Sequence, residues 1–342
     1  MKILFVADPL ATFNIKKDTT YVMMRQAQLR GHEVYACEVG GLAWVTGSQV
    51  SAQAWALELG LSSNSNSNSA DSVWPAPWCR LKGAATLALS EFAAVIMRKD
   101  PPFDVEYFYA THLLAQAERE GARVYNKPQA LRDHPEKLSI LAYPEYTPAT
   151  LVTRRAEDIR AFHAQYRDII LKPLDGMGGR GIYRVKADGL NLGSLIETLN
   201  RDGEQTVMVQ QFIPAIEQGD KRILIIAGQA VPFALARIPQ GGEVRGNLAA
   251  GGKGEARPLD ARDWEIARAL GPRLWAKGLL LVGLDVIGDK LTEINVTSPT
   301  CFQEITDQTG CDVSLLFMTA LEKAVAQGED PGDEAAPLST QR

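Results

Sequence analysis

The chain has 342 residues, more than one compact core usually holds, which points to two or three packed subdomains. Hydrophobic residues make up 46% and charged residues 23%, the balance of an ordinary globular protein, so disorder is excluded as the main state. With 36 basic residues against 41 acidic ones the net charge is -5, which gives no electrostatic ground for expecting nucleic acid.

The opening MKILFVADPL carries an apolar run that stops at Asp8-Pro9, too short for a secretory leader. No uncharged apolar stretch approaches the ~20 residues of a membrane span. Cys37, Cys79, Cys301 and Cys311 are scattered without a CxxC pair, and the four histidines show no metal-ligand spacing. The pattern reads as reduced thiols in a cytoplasmic protein that works on small molecules.

In chain order, residues 2–7 are β-rich, 19–30 helical and closed by Gly31, and 32–39 a second strand. Strand, helix, strand predicts a parallel, Rossmann-like sheet. Strands at 93–98 and 123–126, around a helix near 105–120, extend it, so residues 1–125 read as one α/β unit. Within that unit residues 62–72, SSNSNSNSADS, are polar and low in complexity, and are expected to form a flexible loop.

From residue 126 to about 327 the texture changes. Strands are expected at 169–174, 181–186, 207–213, 222–228 and 230–238, with helices around 190–200 and 263–277. A hairpin follows at 279–288 and 290–296, then a last helix to about Ala326. The tail, 328–342, is charged and rich in proline and glycine, and is expected to be disordered.

LKPLDGMGGRGIYRV places Gly176, Gly178 and Gly181 in a GxGxxG pattern. A dinucleotide fingerprint must open a helix, whereas here Ile182, Tyr183 and Val185 continue as a strand. The context is strand, loop, strand, in which backbone N–H groups of Gly176, Gly178 and Gly179 can converge on phosphate. Lys172, just upstream, brings a fixed positive charge to the same place.

Glu293 and Asn295 are two residues apart on one strand and share a face, and the Gly288-Asp289 turn brings Asp285 opposite them. Two carboxylates and an amide oxygen suit a hard cation such as Mg²⁺. Between 238 and 258 runs a long glycine-rich stretch carrying Arg245, Asn247 and Lys253. Loops of this length inside a compact domain tend to be lids, and anion-holding residues interleaved with glycine favour that reading.

Taken together these segments resemble the ATP-grasp superfamily, and within it bacterial glutathione synthetases. The likeness runs from near Met1 to about Ala326 through NIKKD (14–18), MRKDPPFD (97–104), NKPQALRD (126–133), LKPLDGMGG (171–179), ARIPQGGEVRGNLAAGG (236–252) and GLDVIGDKLTEINVTSPTC (283–301). The Ser/Asn insertion, the Arg180-Gly181 end of the small loop and the long acidic tail depart from the pattern.

The resemblance implies an α/β fold (α+β overall): a Rossmann-like N-terminal domain, then a two-lobed ATP-grasp domain at 126–327. It implies that Lys137 and Lys172 contact ATP phosphates, and that Gln210, Gln211 and Ile213 line the adenine pocket, with Asp220 also on the nucleotide side. Asp285, Glu293 and Asn295 would bind Mg²⁺, with Mn²⁺ as a substitute. Arg222, Arg237 and Arg245 would hold substrate carboxylates and developing charge, and residues 238–253 would be the lid. Asn14, Lys17, Arg98 and Asp100 fall on the peptide-substrate side. The implied reaction joins γ-glutamylcysteine to glycine through an acyl phosphate, giving glutathione, ADP and phosphate, in a homotetramer that engages neither membrane nor nucleic acid. Another ATP-grasp ligase with a different carboxylate and amine, and an ATP-binding regulatory protein without turnover, stay open as alternatives.

Overall fold

The protein is described as a computed structural model covering residues 1–60 and 78–328; the insertion expected at 62–72 and residues 329–342 of the tail lie outside the described residues. The first unit runs β1 (Lys2–Val6), α1 (Thr19–Leu29), β2 (Glu33–Cys37), β3 (Leu42–Ala43), β4 (Ser51–Leu59), β5 (Cys79–Ala88), β6 (Ala94–Met97), α2 (Val105–Arg119) and β7 (Val124–Tyr125). Strands β2, β1, β6 and β7 lie side by side and parallel, with Ile3 opposite Val34 on one flank and Ala94 on the other. β1 and β6 are apolar and buried almost throughout, as expected of parallel strands covered on both faces. Asp18 and Asp104 start the two helices by accepting the N–H groups of Tyr21 (2.7 Å) and Tyr107 (2.9 Å).

This parallel part matches the sequence expectation. The antiparallel hairpin β4–β5, added beyond β2, does not appear in it. β5 reads CRLKGAATLA and is largely exposed, so it shows no alternation of apolar and polar residues that would mark a strand.

The second sheet is assembled after α3 (Pro128–Asp133) from β8 (Thr150–Thr153), α4 (Ala156–Tyr166), β9 (Ile169–Pro173), β10 (Tyr183–Val185), α5 (Leu192–Asn200) and β11 (Val207–Gln211). Its antiparallel order is β10-β9-β11-β8, and it packs its own small core of Ile159, Ile169, Leu171, Ile196 and Val207. β9 and β10 form a strand–loop–strand hairpin around the first glycine loop.

The third sheet follows from β12 (Asp220–Ile226), β13 (Gln229–Ile238), β14 (Lys253–Pro258), α6 (Ala261–Ala276), β15 (Leu281–Ile287) and β16 (Lys290–Asn295), closed by α7 (Phe302–Thr309) and α8 (Val313–Gln327). The order is β14-β13-β12-β15-β16. The stretch 238–258 is therefore not one loop: its last part is β14, with Lys253 opposite Ile238, and only residues 239–252 cross between strands. Cross-strand pairing, which the glycine and charges of KGEARP conceal, overrides local propensity there. Among the described residues no helix is long and apolar enough to cross a membrane.

Candidate active site between two sheets

A cavity of about 280 Å³ lies between the second and third sheets. β9 contributes Ile170 and Lys172, β11 contributes Gln210 and Gln211, and Ile213 follows just beyond. The third sheet contributes Asp220, Arg222, Arg237, Asp285, Glu293 and Asn295. Lys137 enters from the segment after α3, while Gly176, Gly178, Gly179 and Arg245 belong to the two glycine loops. All of these positions except Ile170 were named from sequence. Of Asn14, Lys17, Arg98 and Asp100, expected on the peptide-substrate side, only Asp100 reaches the cavity wall. Asn14 and Lys17 lie outside it, in the turn before α1. Arg98 is buried, donating to Thr20 Oγ1 (3.0 Å) and the Pro299 carbonyl (3.1 Å).

The acidic hairpin has the expected register, Asp285 opposite Glu293 and Gly283 opposite Asn295. What sequence did not show is that Asp285 sits in a buried network. Arg222 donates to both its oxygens (2.5 and 3.1 Å), and Arg237 Nη2 bridges Asp285 Oδ2 (2.9 Å) and Asp220 Oδ2 (2.5 Å). Burial opposes the charge on Asp285, but Arg222 and then Arg237 outweigh it and hold the carboxyl well below the usual range. Asp220 has the opposite balance: burial dominates, Arg237 offsets it only in part, and its carboxyl is pushed up to about 6. Asp220 Oδ1 is buried without a hydrogen-bond partner among the described residues.

The donor set fits a hard divalent cation. Asn295 gives its amide N–H to the Gly283 carbonyl (3.2 Å), which leaves its oxygen on the other branch of the amide. Glu293 meets Lys137 through Oε1 only (3.1 Å). A carboxylate offers about four lone-pair sites, and the three N–H and ion contacts on Asp285 leave one. All the donors are oxygen, as Mg²⁺ demands.

Two lysines flank the first glycine loop. Lys137 Nζ donates to the Gly176 carbonyl (2.6 Å), and although burial works against its charge, Glu293 together with Glu136 and Asp285 outweighs burial and raises it. Lys172 Nζ reaches only the Thr292 carbonyl (3.3 Å), and burial, eased in part by Glu293, pushes it down to about 8. Gln210 is buried, with its amide on Thr150 Oγ1 (3.1 Å), next to the apolar wall of Ile170, Ile213 and Ile287.

The two glycine loops touch over the cavity. Gly179 is left-handed (φ +80), and a Cβ there would stand 2.7 Å from Asn247 Oδ1. Arg245 Nη1 points at the Gly179 carbonyl (3.5 Å). Gly246 lies flat on β13, where a Cβ would run into the Arg237 carbonyl oxygen. Gly246→Ala should therefore lift the 239–252 segment off the site and lower kcat by roughly 10²-fold, the cost of an ångström-scale misplacement, while the thermal midpoint stays near wild type. Steady-state ADP release beside a melting curve checks this, and unchanged kcat rejects a catalytic role for the segment.

Sequence reasoning missed Glu136, Thr292, Ser298 and Cys301, which also line the cavity. Glu136 Oε1 accepts from Val296 N (2.9 Å), Thr297 N (3.0 Å) and Thr297 Oγ1 (2.8 Å), and burial and then the neighbouring Glu293 raise its carboxyl. Its place beside Lys137 in PEKL was the one local signal.

Two facing antiparallel sheets that grip a cavity walled by lysines, an acidic hairpin and glycine loops define the ATP-grasp fold. Solved ATP-grasp proteins share it: D-cycloserine synthetase DcsG aligns with a TM-score of 0.62 at 14% identity, over 94% of this chain and 99% of that one. The ATP-grasp ligase PsnB, complexed with minimal precursor, Mg and ADP, aligns at 0.59 and 18% identity, over 95% and 98%. The family model of the prokaryotic glutathione synthetase N-terminal domain matches residues 1–132, and that of its ATP-grasp domain matches 136–310. Glutathione synthetase of Ralstonia nicotianae is 57% identical over 96% of this chain and 97% of its own length. The Nitrosomonas europaea protein of that name is 52% identical over 96% and 99%. The chain belongs to the prokaryotic glutathione synthetase family.

Proposed function

We propose that this chain joins the cysteinyl carboxylate of γ-glutamylcysteine to the amine of glycine, with ATP converted to ADP and phosphate. The observation that carries this reading is the convergence of Lys137, Lys172, Arg222 and Arg237 with the Asp285–Glu293–Asn295 hairpin on one cavity. The substrate carboxylate attacks the γ-phosphorus, the bond to the β-phosphate oxygen breaks, and ADP leaves. Glycine's amine then attacks the acyl carbon, phosphate departs with the bonding pair, and the amine sheds its proton. No side chain becomes covalently modified, so positioning and charge neutralisation carry both steps.

Lys137, Lys172 and the N–H groups around Gly176, Gly178 and Gly179 take the phosphates. Gln210, Gln211 and Ile213 face the adenine, and Asp220 lies on the nucleotide side. Arg222, Arg237 and Arg245 hold carboxylate and phosphoryl oxygens, for which the planar guanidinium is suited. Asp285, Glu293 and Asn295 hold Mg²⁺, for which Mn²⁺ substitutes, and the ion supplies charge neutralisation at the transferred phosphoryl group. Residues 1–125 present the peptide substrate, 126–327 the nucleotide, and the 239–252 segment is the lid that shuts out water. A homotetramer in the cytoplasm completes the reading.

Incubating the purified protein with ATP, Mg²⁺, γ-glutamylcysteine and glycine, omitting each in turn, tests the reaction. ADP and glutathione should appear in equal amounts, and only when all four are present. ADP without tripeptide points to another carboxylate–amine pair. No ADP with any acceptor favours a non-catalytic nucleotide-binding protein.

A further inference from the structure

Residues 212–213 carry the chain out of β11 towards the third sheet, and both line the cavity. With the phosphates on the lysines and glycine loops as proposed above, the base lies at this end, against the apolar wall of Ile170, Ile213 and Ile287. The two residues belong to neither strand nor helix. A closed circuit of three residues, far apart in sequence, fixes the first of them. The Phe212 N–H donates to the Asp168 carbonyl (2.9 Å). The Asp168 carboxylate takes both prongs of Arg184, Nε on Oδ1 (2.9 Å) and Nη2 on Oδ2 (2.7 Å). The Arg184 guanidinium in turn lies over the Phe212 ring, 3.5 Å from its centre. Asp168 thus holds Phe212 twice, once through the backbone and once through the ring.

Neither Asp168 nor Arg184 lines the cavity, but Arg184 starts from its edge. On β10, the outermost strand of the second sheet, it stands opposite Ile170, so the two side chains share the sheet face that looks into the cavity. A long cationic side chain on an edge strand is free to run out to water. Here it is folded back instead, with its fork on a carboxylate and its flat face on an aromatic ring. Arginine alone among the cationic side chains can do both at once. The circuit also leaves one main-chain donor over. Gln211 and Phe212 give their N–H groups to the Ala149 (3.0 Å) and Asp168 carbonyls, while the Ile213 N–H has no partner among the described residues.

We infer that Arg184, held by Asp168, is a positioning residue for the nucleotide base: through the Phe212 ring it fixes residues 212–213 in the orientation that receives adenine. It rests on the nucleotide reading above and adds two side chains that lie outside the cavity. They act on the base only through Phe212.

The test is a double-mutant cycle on ATP affinity, with wild type, Arg184→Ala, Phe212→Leu and the double variant titrated calorimetrically with ATP in the presence of Mg²⁺. Arg184→Ala should raise the Kd by about fivefold, the equivalent of one cation–π contact at a partly exposed site. In the Phe212→Leu background the same change should alter the Kd by less than about twofold, because the ring through which it acts is gone. An arginine that merely supports the fold would leave fewer competent molecules, seen as a lower stoichiometry at unchanged Kd, and that result overturns the positioning role. A full fivefold loss on top of Phe212→Leu overturns it too, because Arg184 then acts by another route. A wild-type protein that makes no glutathione removes the substrate pair proposed above without touching these Kd values, whereas one that binds no ATP overturns both.

Discussion

Arg237→Ala is expected to lower kcat by roughly 10²–10³-fold, the usual consequence of removing one preorganised charge from a site where charge develops. Arg237 is almost fully buried and uses Nε on the Asp220 carbonyl (3.2 Å) and Nη2 on the Asp220 and Asp285 carboxylates. Nη1 takes no part in these bonds, which gives the guanidinium an edge for phosphoryl or carboxylate oxygens. The same burial means that the variant also loses stability. Breaking a buried pair from one side costs about 3–5 kcal/mol, because the other charge is left behind. Here the loss should fall at the lower end. Asp285 keeps Arg222, and Asp220, already pushed up to about 6, can take a proton once the guanidinium is gone. Turnover per folded molecule must therefore be separated from folded fraction, by measuring ADP release well below the melting transition. Arg237→Lys keeps a charge but not the forked geometry, so it should recover stability more than rate. Normal turnover in Arg237→Ala would take this residue out of the reaction.

The contrast between Arg237 and Glu136 shows which parts of the site a sequence can reveal. Asp285, Glu293 and Asn295 were placed correctly because one short turn at Gly288 and the two-residue period of a strand fix their register. The glycine loop between β9 and β10 was separable from a dinucleotide fingerprint for the same reason, since a strand follows it. Glu136 meets Thr297 across 161 positions, and no local pattern encodes that meeting. Nor did anything in the sequence say that Arg98 would turn inward to Thr20 and Pro299, or that Asp285 would hold two arginines. Those are products of three sheets packing together. The parallel core of β1, β2 and β6 was legible from its apolar runs, whereas β5 and β14, exposed or charged at the sheet edges, were not.

Affinity for ATP is expected to weaken as pH rises through about 8, and Lys172 is the reason. Its amine is buried on β9, where burial pushes it down to about 8 against partial compensation by Glu293, with Lys137 lowering it further. Below that pH the free protein already carries the positive charge, and a triphosphate binds without proton exchange. Above it the amine is mostly neutral and must take up a proton when the phosphates arrive, so the apparent Kd should rise by up to tenfold per pH unit. The rise levels off once pH passes the higher pKa that the amine acquires beside bound phosphate. Lys137, raised by Glu293, stays charged across the same window and does not contribute. Lys172→Arg supplies the control, because arginine holds its proton throughout and should flatten the profile, at some cost in affinity from the larger head group. Calorimetric titration with ATP and Mg²⁺ at pH 7, 8 and 9, at constant ionic strength and in buffers of different ionisation enthalpy, reads both the affinity and the proton taken up. A flat profile in the wild-type protein, with no proton uptake at pH 9, would place the phosphates away from Lys172 and force the nucleotide into a different orientation between the sheets.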